Sequence, residues 1–278
     1  MATSGAMLSR HSAKKKNSAP PAERALAATI EERTALLEQR LSRAPAQLQT
    51  QYRHDLDRGW IRHDCALEGV VYSPQELRAA IGEFDASLHI DANTQPAIED
   101  IRRHRGALNF VRTYAADVEL PITVDLIKGI YCALHPEEGD AKMVKFRRDM
   151  PQHRLYFHEY AAPDKIAPRL RQIVDWVNDP ETVRSRNALR IASRAQYDLL
   201  RVFPFSVDSG KVARMFMNLL LLRHGYPPAI IHSSERQRYY DALKGSSLAM
   251  LMIVQESIED SLGSIERLLD QYDAMARK

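Results

Sequence analysis

Amphipathic periodicity, repeated between residues that start and stop helices, is the feature that most constrains the fold of this chain. In the stretch LPITVDLIKGIYCAL, Leu126, Ile127, Ile130 and Leu134 fall on one helical face, and Thr123 stands where a helix cap is expected. Such a segment buries one side against a neighbouring element. Because the same pattern recurs along most of the chain, the sequence predicts a mainly α-helical protein.

Helix boundaries can be read from capping residues, prolines and glycines. SPQEL at 73–77 has the Ser, Pro and Glu of a capping box, and GKVARMFMNLLLLRHG ends at a glycine followed by two prolines. Further helices are predicted after Pro21, over Leu48–Trp60, in PRLRQIVDWVNDP, in NALRIASRAQYDLLRVF, over Ser234–Leu243 and over Ser246–Met275.

The helical period fails between Glu137 and Pro163. There the stretch RLYFHEYAAP alternates and is rich in aromatic residues, which predicts a short strand or β-hairpin. A second short stretch, VFPF at 202–205, has the character of a strand leading into a loop. The chain is therefore expected to carry one small β element on a helical framework.

Charge and length exclude several classes of protein. The 278 residues are 45% hydrophobic, enough to bury a core, and 39 Lys and Arg nearly balance 36 Asp and Glu. A net charge of +3 gives no basis for nucleic-acid binding, and the basic cluster RRHRG at 102–106 is typical of a solvated helix face. No apolar run reaches the roughly 18 residues needed to span a bilayer.

The cysteines and the N-terminal residues bear on where in the cell the protein is expected. The only cysteines, Cys65 and Cys132, lack the CxxC spacing of a zinc site and the numbers of a disulfide framework, so we expect a cytoplasmic protein. Residues 1–20 carry several Lys and Arg among Ser, Ala and Pro, without the apolar core of a signal peptide. They are expected to form a disordered basic tail, and secretion as an effector stays open as an alternative.

The stretch RVFPFSVDSGKVARMFMN, residues 201–218, has the chemistry of an anion-binding loop. A helix is expected to begin near Ser209 and Gly210, where unpaired backbone N–H groups carry partial positive charge. Lys211 and Arg214 are three residues apart and so lie on one face of that helix. The alternative is an ordinary loop capped by Asp208 or Ser209, with both cations in solvent.

This loop resembles the signature of the Fic family, in which His-Pro-Phe is followed by an acidic residue, Gly-Asn-Gly, an Arg or Lys, and a second Arg three residues on. Pro204, Phe205, Gly210, Lys211 and Arg214 match. The resemblance extends over about residues 45–245, through WIRHDCALEG at 60–69, VKFRRDMPQHRLYFHEYAAP, MNLLLLRHGYPPAII at 217–231 and RQRYYDALK at 236–244.

The resemblance implies a Fic-type helical bundle with a small β-hairpin flap over the site. It divides the chain into the tail at 1–20, an N-terminal helical region at 21–60 and a Fic-like domain at 61–278. That domain includes an inhibitory-type helix and the C-terminal helices.

Functional residues follow from the same resemblance. Glu68 matches the inhibitory glutamate, which in the family meets the second arginine of the signature, here Arg214. A Glu68–Arg214 pair is also sensible as a purely structural contact. The expected nucleotide- or phosphate-binding residues are Ser209, Gly210, Lys211, Arg214, Tyr239 and Tyr240, with core packing of one tyrosine and exposure of the other as the alternative.

The departures from the family pattern are concentrated where its chemistry takes place. Phe203 stands at the position of the catalytic histidine, and a phenyl ring cannot accept a proton from a target hydroxyl. Val207 stands at the position of the acidic metal ligand and offers no oxygen to Mg²⁺. Asp208 lies one residue after the position of the family's acidic residue. It could serve as a shifted metal ligand, or its charge could repel phosphates. The inhibitory motif has Asp64 in place of Ser or Thr, and Val70 in place of Asn.

Three classes of function remain open at this stage. The first is a pseudoenzyme, or an enzyme with altered chemistry, that binds ATP or another nucleotide, with Mg²⁺ undecided. The second, implied by the resemblance, is a protein adenylyltransferase that moves AMP from ATP onto a target protein's hydroxyl. The third is a module that binds an extended peptide at the flap. A target protein is the expected partner, and the sequence leaves monomer or homodimer open.

Overall fold

The structure is a computed structural model, and it describes residues 21–82, 93–151 and 160–276. These residues form helices at Pro21–Arg43 (α1), Ala46–Leu67 (α2), Pro74–Ile81 (α3), Gln95–Ala116 (α4), Val124–Leu134 (α5), Ile166–Asn178 (α6), Pro180–Ser185 (α7), Ala188–Val202 (α8), Ser209–Arg223 (α9), Arg236–Lys244 (α10) and Ser247–Ala276 (α11). Within the described ranges no strand occurs, so the prediction of a mainly helical protein is confirmed.

The predicted caps are present as hydrogen bonds. Ser73 Oγ accepts from the N–H of Glu76 at 3.2 Å, and the Glu76 carboxylate accepts from the N–H of Ser73 at 2.6 Å, which completes the capping box of α3. Thr123 Oγ1 accepts from the N–H of Leu126 at 3.1 Å at the start of α5. After α9, Gly225 adopts φ +77°, the left-handed conformation that glycine tolerates best.

The β structure expected from the sequence is not seen in the described residues. The strand-like stretch VFPF does not form a strand, because Val202 is the last residue of α8 and Phe203 already has the left-handed φ of +49°. The β-hairpin expected in RLYFHEYAAP, residues 154–163, falls largely on residues 152–159, which lie outside the described residues, and the described residues 160–163 form no strand. Helix α2 runs without interruption across residue 60, where the Fic-like domain was expected to begin, and the division of the chain into three parts stays a prediction.

Helix α9 lies at the centre of the fold. Every residue from Ser209 to Leu221 is buried, because α8, α4 and α5 pack around α9 and cover its side chains. Its one buried amide, Asn218, is satisfied by the backbone of Ala229, donating to the carbonyl at 3.2 Å and accepting from the N–H at 2.7 Å. A helix held on all sides gives the loop before it a fixed base.

The two ends of the described chain lie side by side, since α1 packs along α11. Arg33 of α1 forms ion pairs with Glu259 and Glu266 of α11, and Arg40 does so with two aspartates further along α11, Asp270 and Asp273. Among the helices that the structure describes, none combines the length and apolar composition required to cross a membrane.

Candidate phosphate-binding site

The loop between α8 and α9 has a fixed backbone. Phe203 ends α8 with its N–H donating to the carbonyl of Leu199 at 2.8 Å, and Asp208 precedes α9 with φ +53°. Both residues therefore adopt a conformation that is uncommon outside glycine. The hydroxyl of Ser209 bridges the loop, accepting from the N–H of Phe205 at 2.8 Å and donating to its carbonyl at 2.9 Å. Ser209 thus stabilises the loop rather than facing a ligand.

A buried arginine attaches the preceding segment to this loop. The guanidinium of Arg147 donates to the carbonyls of Phe203 at 2.6 Å and Val202 at 3.1 Å, and also to that of Ala161. The backbone N–H of Arg147 donates to the carbonyl of Pro204 at 2.9 Å. The carbonyls of Val202 and Phe203, at the end of α8, have no partner within the helix. Arg147 therefore fixes both the end of the helix and the start of the loop.

Phe203 occupies the position expected for a catalytic base. Its side chain is only 3% exposed, and its ring centroid lies 5.0 Å from that of Tyr160. Phe205 is also buried and stacks on Tyr131 with centroids 4.1 Å apart. The position is filled by a ring that packs and has no atom able to take a proton.

Glu68 places its carboxylate directly on the start of α9. A Cβ built onto Gly210 would clash with Glu68 Oε1, so only glycine permits this approach. The same oxygen accepts from Arg214 Nη2 at 2.8 Å. A negative charge therefore already rests where the α9 backbone and Arg214 attract one. The predicted Glu68–Arg214 pair is present.

Arg214 is also bound by a second carboxylate, that of Asp64. Arg214 Nε donates to Asp64 Oδ1, and Arg214 Nη2 donates to the Asp64 carbonyl at 3.2 Å. Asp64 Oδ2 lies 3.2 Å from His104 Nε2, and His104 Nδ1 lies 3.5 Å from Cys65 Sγ. All four side chains are buried.

These contacts set the charge states of the buried groups. Burial alone raises the pKa of Asp64, but the charge of Arg214 and the His104 contact outweigh it and hold that pKa below its usual value. Burial lowers the pKa of His104, yet Cys65 and the Asp64 carboxylate raise it overall to about 9. At neutral pH the three buried groups therefore alternate in charge: His104 is positive, Asp64 negative and Arg214 positive.

Lys211 and Asp208 form a second ion pair at the same helix start. Lys211 Nζ lies 3.0 Å from Asp208 Oδ1, and His135 Nε2 lies 2.9 Å from Asp208 Oδ2. Burial raises the pKa of Asp208, but the hydrogen bond from His135 and the charge of Lys211 outweigh burial and hold that pKa well below its usual value.

The residues present do not fit Mg²⁺. Both carboxylate oxygens of Asp208 are engaged, one by Lys211 and one by His135, and Val207 is 51% exposed without an oxygen in its side chain. Nor do the described ranges contain any group of three or more His, Cys, Asp or Glu side chains suited to a metal ion. The weak prediction of Asp208 as a metal ligand gains no support from this geometry.

The two tyrosines expected near a nucleotide are both buried. Tyr239 is 0% exposed, with its hydroxyl 3.1 Å from Gln196 Nε2 and 3.5 Å from Arg214 Nη1. Tyr240 is 4% exposed, and its hydroxyl donates to the carbonyl of Leu67, the last residue of α2. Tyr240 thus holds the end of α2, directly before Glu68.

Sequence reasoning did not assign three residues to this site: Arg147, His135 and His104. Arg147 and His135 come from segments far away in sequence, and His104 stands in the RRHRG cluster that was interpreted as a solvated face. His104 is in fact 2% exposed, while the arginines on either side of it point outward or are half-buried. The helical period around it was the available signal, since residues 101, 104 and 108 fall on the buried face of α4.

The fold and this geometry define a class: a helical protein in which a glutamate at the end of one helix lies against the start of a buried helix and the loop that precedes it. Residues 121–221, which include the loop and nearly all of α9, match the family model described as "Fic/DOC family", and this region of the chain belongs to that family.

Sequence relatives extend the comparison. The chain is 34% identical over 109 residues to "Protein adenylyltransferase fic-1" of Caenorhabditis elegans, covering 39% of this chain and 21% of that protein. It is 25% identical over 216 residues to "Protein adenylyltransferase Fic" of Culex quinquefasciatus, covering 76% of this chain and 41% of that protein. The chain therefore spans less than half the length of these two relatives.

A solved structure shares the fold. It is a Fic domain-containing signaling protein from Bacteroides thetaiotaomicron, 19% identical, with a TM-score of 0.65 over 86% of this chain and 95% of that one. This likeness supports the helical arrangement around α9.

Proposed function

We propose that this protein binds the phosphates of a nucleotide at the start of α9, and that a phosphate group and the Glu68 carboxylate compete for the same place. The proposal rests on the position of the Glu68 carboxylate. Its Oε1 lies 2.8 Å from Arg214 Nη2 and directly against Gly210. A site that places a carboxylate on a guanidinium at the start of a helix has the chemistry to accept a phosphate.

We further propose that transfer of a nucleotide group to a hydroxyl is slow or absent at this site. Phe203 leaves no base to take the proton from an attacking hydroxyl, and a positioned base typically contributes a factor of about 10² to 10⁴ in rate. The protein is then a Fic-fold pseudoenzyme, or an enzyme with altered chemistry. Because relatives are named protein adenylyltransferases, ATP is the first nucleotide to test.

AMP transfer to a protein hydroxyl is the second candidate, and the names of the relatives favour it. The peptide-binding alternative depends on the β-hairpin flap, which stays a prediction because residues 152–159 are outside the described part of the chain. Of these functions, nucleotide binding rests on the most contacts.

The test is isothermal titration calorimetry with ATP, ADP and AMP, each with and without Mg²⁺. We expect weak binding by the wild type and at least about tenfold tighter binding by Glu68→Gln, which keeps the shape but removes the competing charge. Lys211→Ala should lose binding in either background. Equal affinity in the wild type and Glu68→Gln would contradict competition, and no binding by either would refute the proposed function.

The same proteins separate binding from transfer. With radiolabelled ATP and a cell lysate as the source of targets, we expect no labelling above background by the wild type or by Glu68→Gln. Labelling that needs Lys211 and Arg214 would instead establish the second candidate.

A further inference from the structure

The start of α9 carries a second carboxylate besides that of Glu68. Asp208 stands immediately before the helix, with Oδ1 lying 3.0 Å from Lys211 Nζ and Oδ2 lying 2.9 Å from His135 Nε2. None of these three side chains is more than 24% exposed. The protein therefore supplies its own anion to Lys211, just as Glu68 supplies one to Arg214.

The Asp208 carboxylate does not serve as an ordinary helix cap. An aspartate before a helix usually accepts from the first backbone N–H groups with its side chain. Here the backbone carbonyl of Asp208 accepts from the N–H of Val212 at 2.9 Å, but the side chain makes no capping hydrogen bond. Both of its oxygens are given to cationic side chains instead, so the contacts with Lys211 and His135 are what the side chain contributes to the loop.

This arrangement leaves no protein oxygen for a metal on the nucleotide. Mg²⁺ bound to phosphates usually takes one or two carboxylates from the protein, and Asp208 is the only acidic residue in the loop 203–208. The hydrogen bond to Asp208 raises the pKa of His135, although burial lowers it. A divalent cation near Asp208 would therefore meet the positive charges of Lys211 and His135.

Asp208 keeps a partner when Lys211 turns to a phosphate. His135 holds one carboxylate oxygen, and Lys211 holds the other, so the loss of Lys211 leaves the carboxylate paired. Asp64 plays the corresponding part at Arg214, which it contacts whether or not the other carboxylate is in place. Both cations can thus turn to a phosphate while every acidic partner that remains stays paired, and no metal is needed to balance the charge.

We propose that Asp208, held by His135, makes the start of α9 select nucleotide phosphates that carry no Mg²⁺, with Lys211 and Arg214 supplying the positive charge. Asp208 sets this specificity in two ways: it competes with phosphate for Lys211, and it offers no free oxygen to a metal. The Mg²⁺ complex of a nucleotide has less negative charge to give to the two cations, so it binds less tightly. This proposal rests on the proposed binding of a nucleotide at this site.

The test is a calorimetric titration of Glu68→Gln, in which the other competing carboxylate is absent. The two probes are ATP with EDTA and ATP with saturating Mg²⁺, at equal ionic strength. We expect ATP with EDTA to bind about threefold or more tightly than ATP with Mg²⁺. An affinity that Mg²⁺ leaves unchanged or increases would overturn the proposal.

Asp208→Asn tests the competition for Lys211. Asparagine keeps the shape of the side chain and tolerates the left-handed backbone found here, so the loop can keep its conformation. We expect ATP with EDTA to bind at least about tenfold more tightly once the charge is gone. The control is Glu138→Gln, an exposed carboxylate three residues from His135, which should leave the affinity unchanged. No gain in Asp208→Asn, or an equal gain in Glu138→Gln, would show that Asp208 does not compete.

A double variant tests the selection against metal. Val207→Asp with Asp208→Gly moves the carboxylate back by one residue and puts glycine at the left-handed position, where it is favoured. We expect the preference to reverse, with Mg²⁺ tightening ATP binding at least about tenfold. If Mg²⁺ still weakened binding, the selection would not depend on where the carboxylate stands. Circular dichroism confirms that each variant is folded.

Two kinds of failure can be told apart. If Glu68→Gln bound ATP neither with EDTA nor with Mg²⁺, nucleotide binding itself would be refuted, and the role of Asp208 with it. If Glu68→Gln bound ATP but preferred the Mg²⁺ complex, nucleotide binding would stand and only the selection of metal-free phosphates would fall.

Discussion

At the scale of single residues, Arg214 decides what the α9 site can accept. It contacts Asp64 as well as Glu68, and the resembled pattern has Ser or Thr where this chain has Asp64. A buried arginine left without any carboxylate would be strongly destabilising. Because Asp64 stays in place, Glu68 can leave without that penalty. In the proposed binding mode a phosphate displaces one carboxylate, not two.

His104 gives this cluster a pH dependence. Its pKa is raised from 6.5 to about 9 in the folded protein, so its contribution to stability is complete below pH 6.5 and is lost as pH rises through 9. We expect the free energy of unfolding of the wild type to fall by up to about 3 kcal/mol over this range. His104→Gln should be less stable than the wild type at pH 6 and should lack the decline.

Urea denaturation at a series of pH values from 6 to 9.5 would measure this. The difference in unfolding free energy between wild type and His104→Gln should shrink with pH. A constant difference would show that His104 is neutral in the folded protein and that its role is only to pack against Asp64.

At the scale of elements, Arg147 holds together three segments that are separate in sequence. Its guanidinium reaches carbonyls of Asp149, Ala161, Val202 and Phe203. Lysine has a single ammonium group and cannot reproduce this planar set of donors. We expect Arg147→Lys to lower the free energy of unfolding by about 2 to 4 kcal/mol, because buried carbonyls lose their partners.

The neighbouring residue offers a control. Arg148 is exposed, so Arg148→Lys should stay within about 0.5 kcal/mol of the wild type. Urea unfolding of the two variants gives the comparison, and a calorimetric titration with ATP tests the site. If Arg147→Lys were as stable as the wild type, Arg147 would not fix the end of α8.

The helices could be predicted because their signals are local. Ser73 and Thr123 cap helices within three residues of themselves, so short stretches contain the needed information. The loop could not be predicted in the same way, since a left-handed Phe203 is uncommon and depends on distant support. Arg147 reaches Phe203 over a separation of 56 residues, which no local pattern reports.

Residues of the site that belong to a short sequence pattern could be predicted, whereas those placed there by packing could not. Glu68, Gly210, Lys211 and Arg214 were found because they match a family pattern, and the structure brings all four together. The place of His104 in the site was not predicted, because its neighbours in sequence are charged and its burial depends on how α4 packs. Sequence spacing shows which residues share a face, whereas packing decides which face is covered.

At the scale of the whole molecule, the packing of α1 along α11 joins the two ends of the described chain. Two kinds of contact hold these helices: ion pairs such as Arg33 with Glu259 and Glu266, and buried apolar side chains such as Ile30, which is 0% exposed. Arg33 is 30% exposed, and pairs in contact with water contribute at most about 1 kcal/mol.

We therefore expect apolar burial to dominate. Ile30→Ala should lower the free energy of unfolding by about 2 to 5 kcal/mol through lost burial and the cavity it leaves. Arg33→Ala should cost about 1 kcal/mol or less, and should cost less still in high salt. The measurement is urea unfolding followed by circular dichroism and tryptophan fluorescence, whose curves should coincide if α1 unfolds with the rest of the protein. A larger loss in Arg33→Ala than in Ile30→Ala would mean that the ion pairs, and not the core, attach α1. Curves that separate in the wild type would mean that α1 is a unit that unfolds by itself.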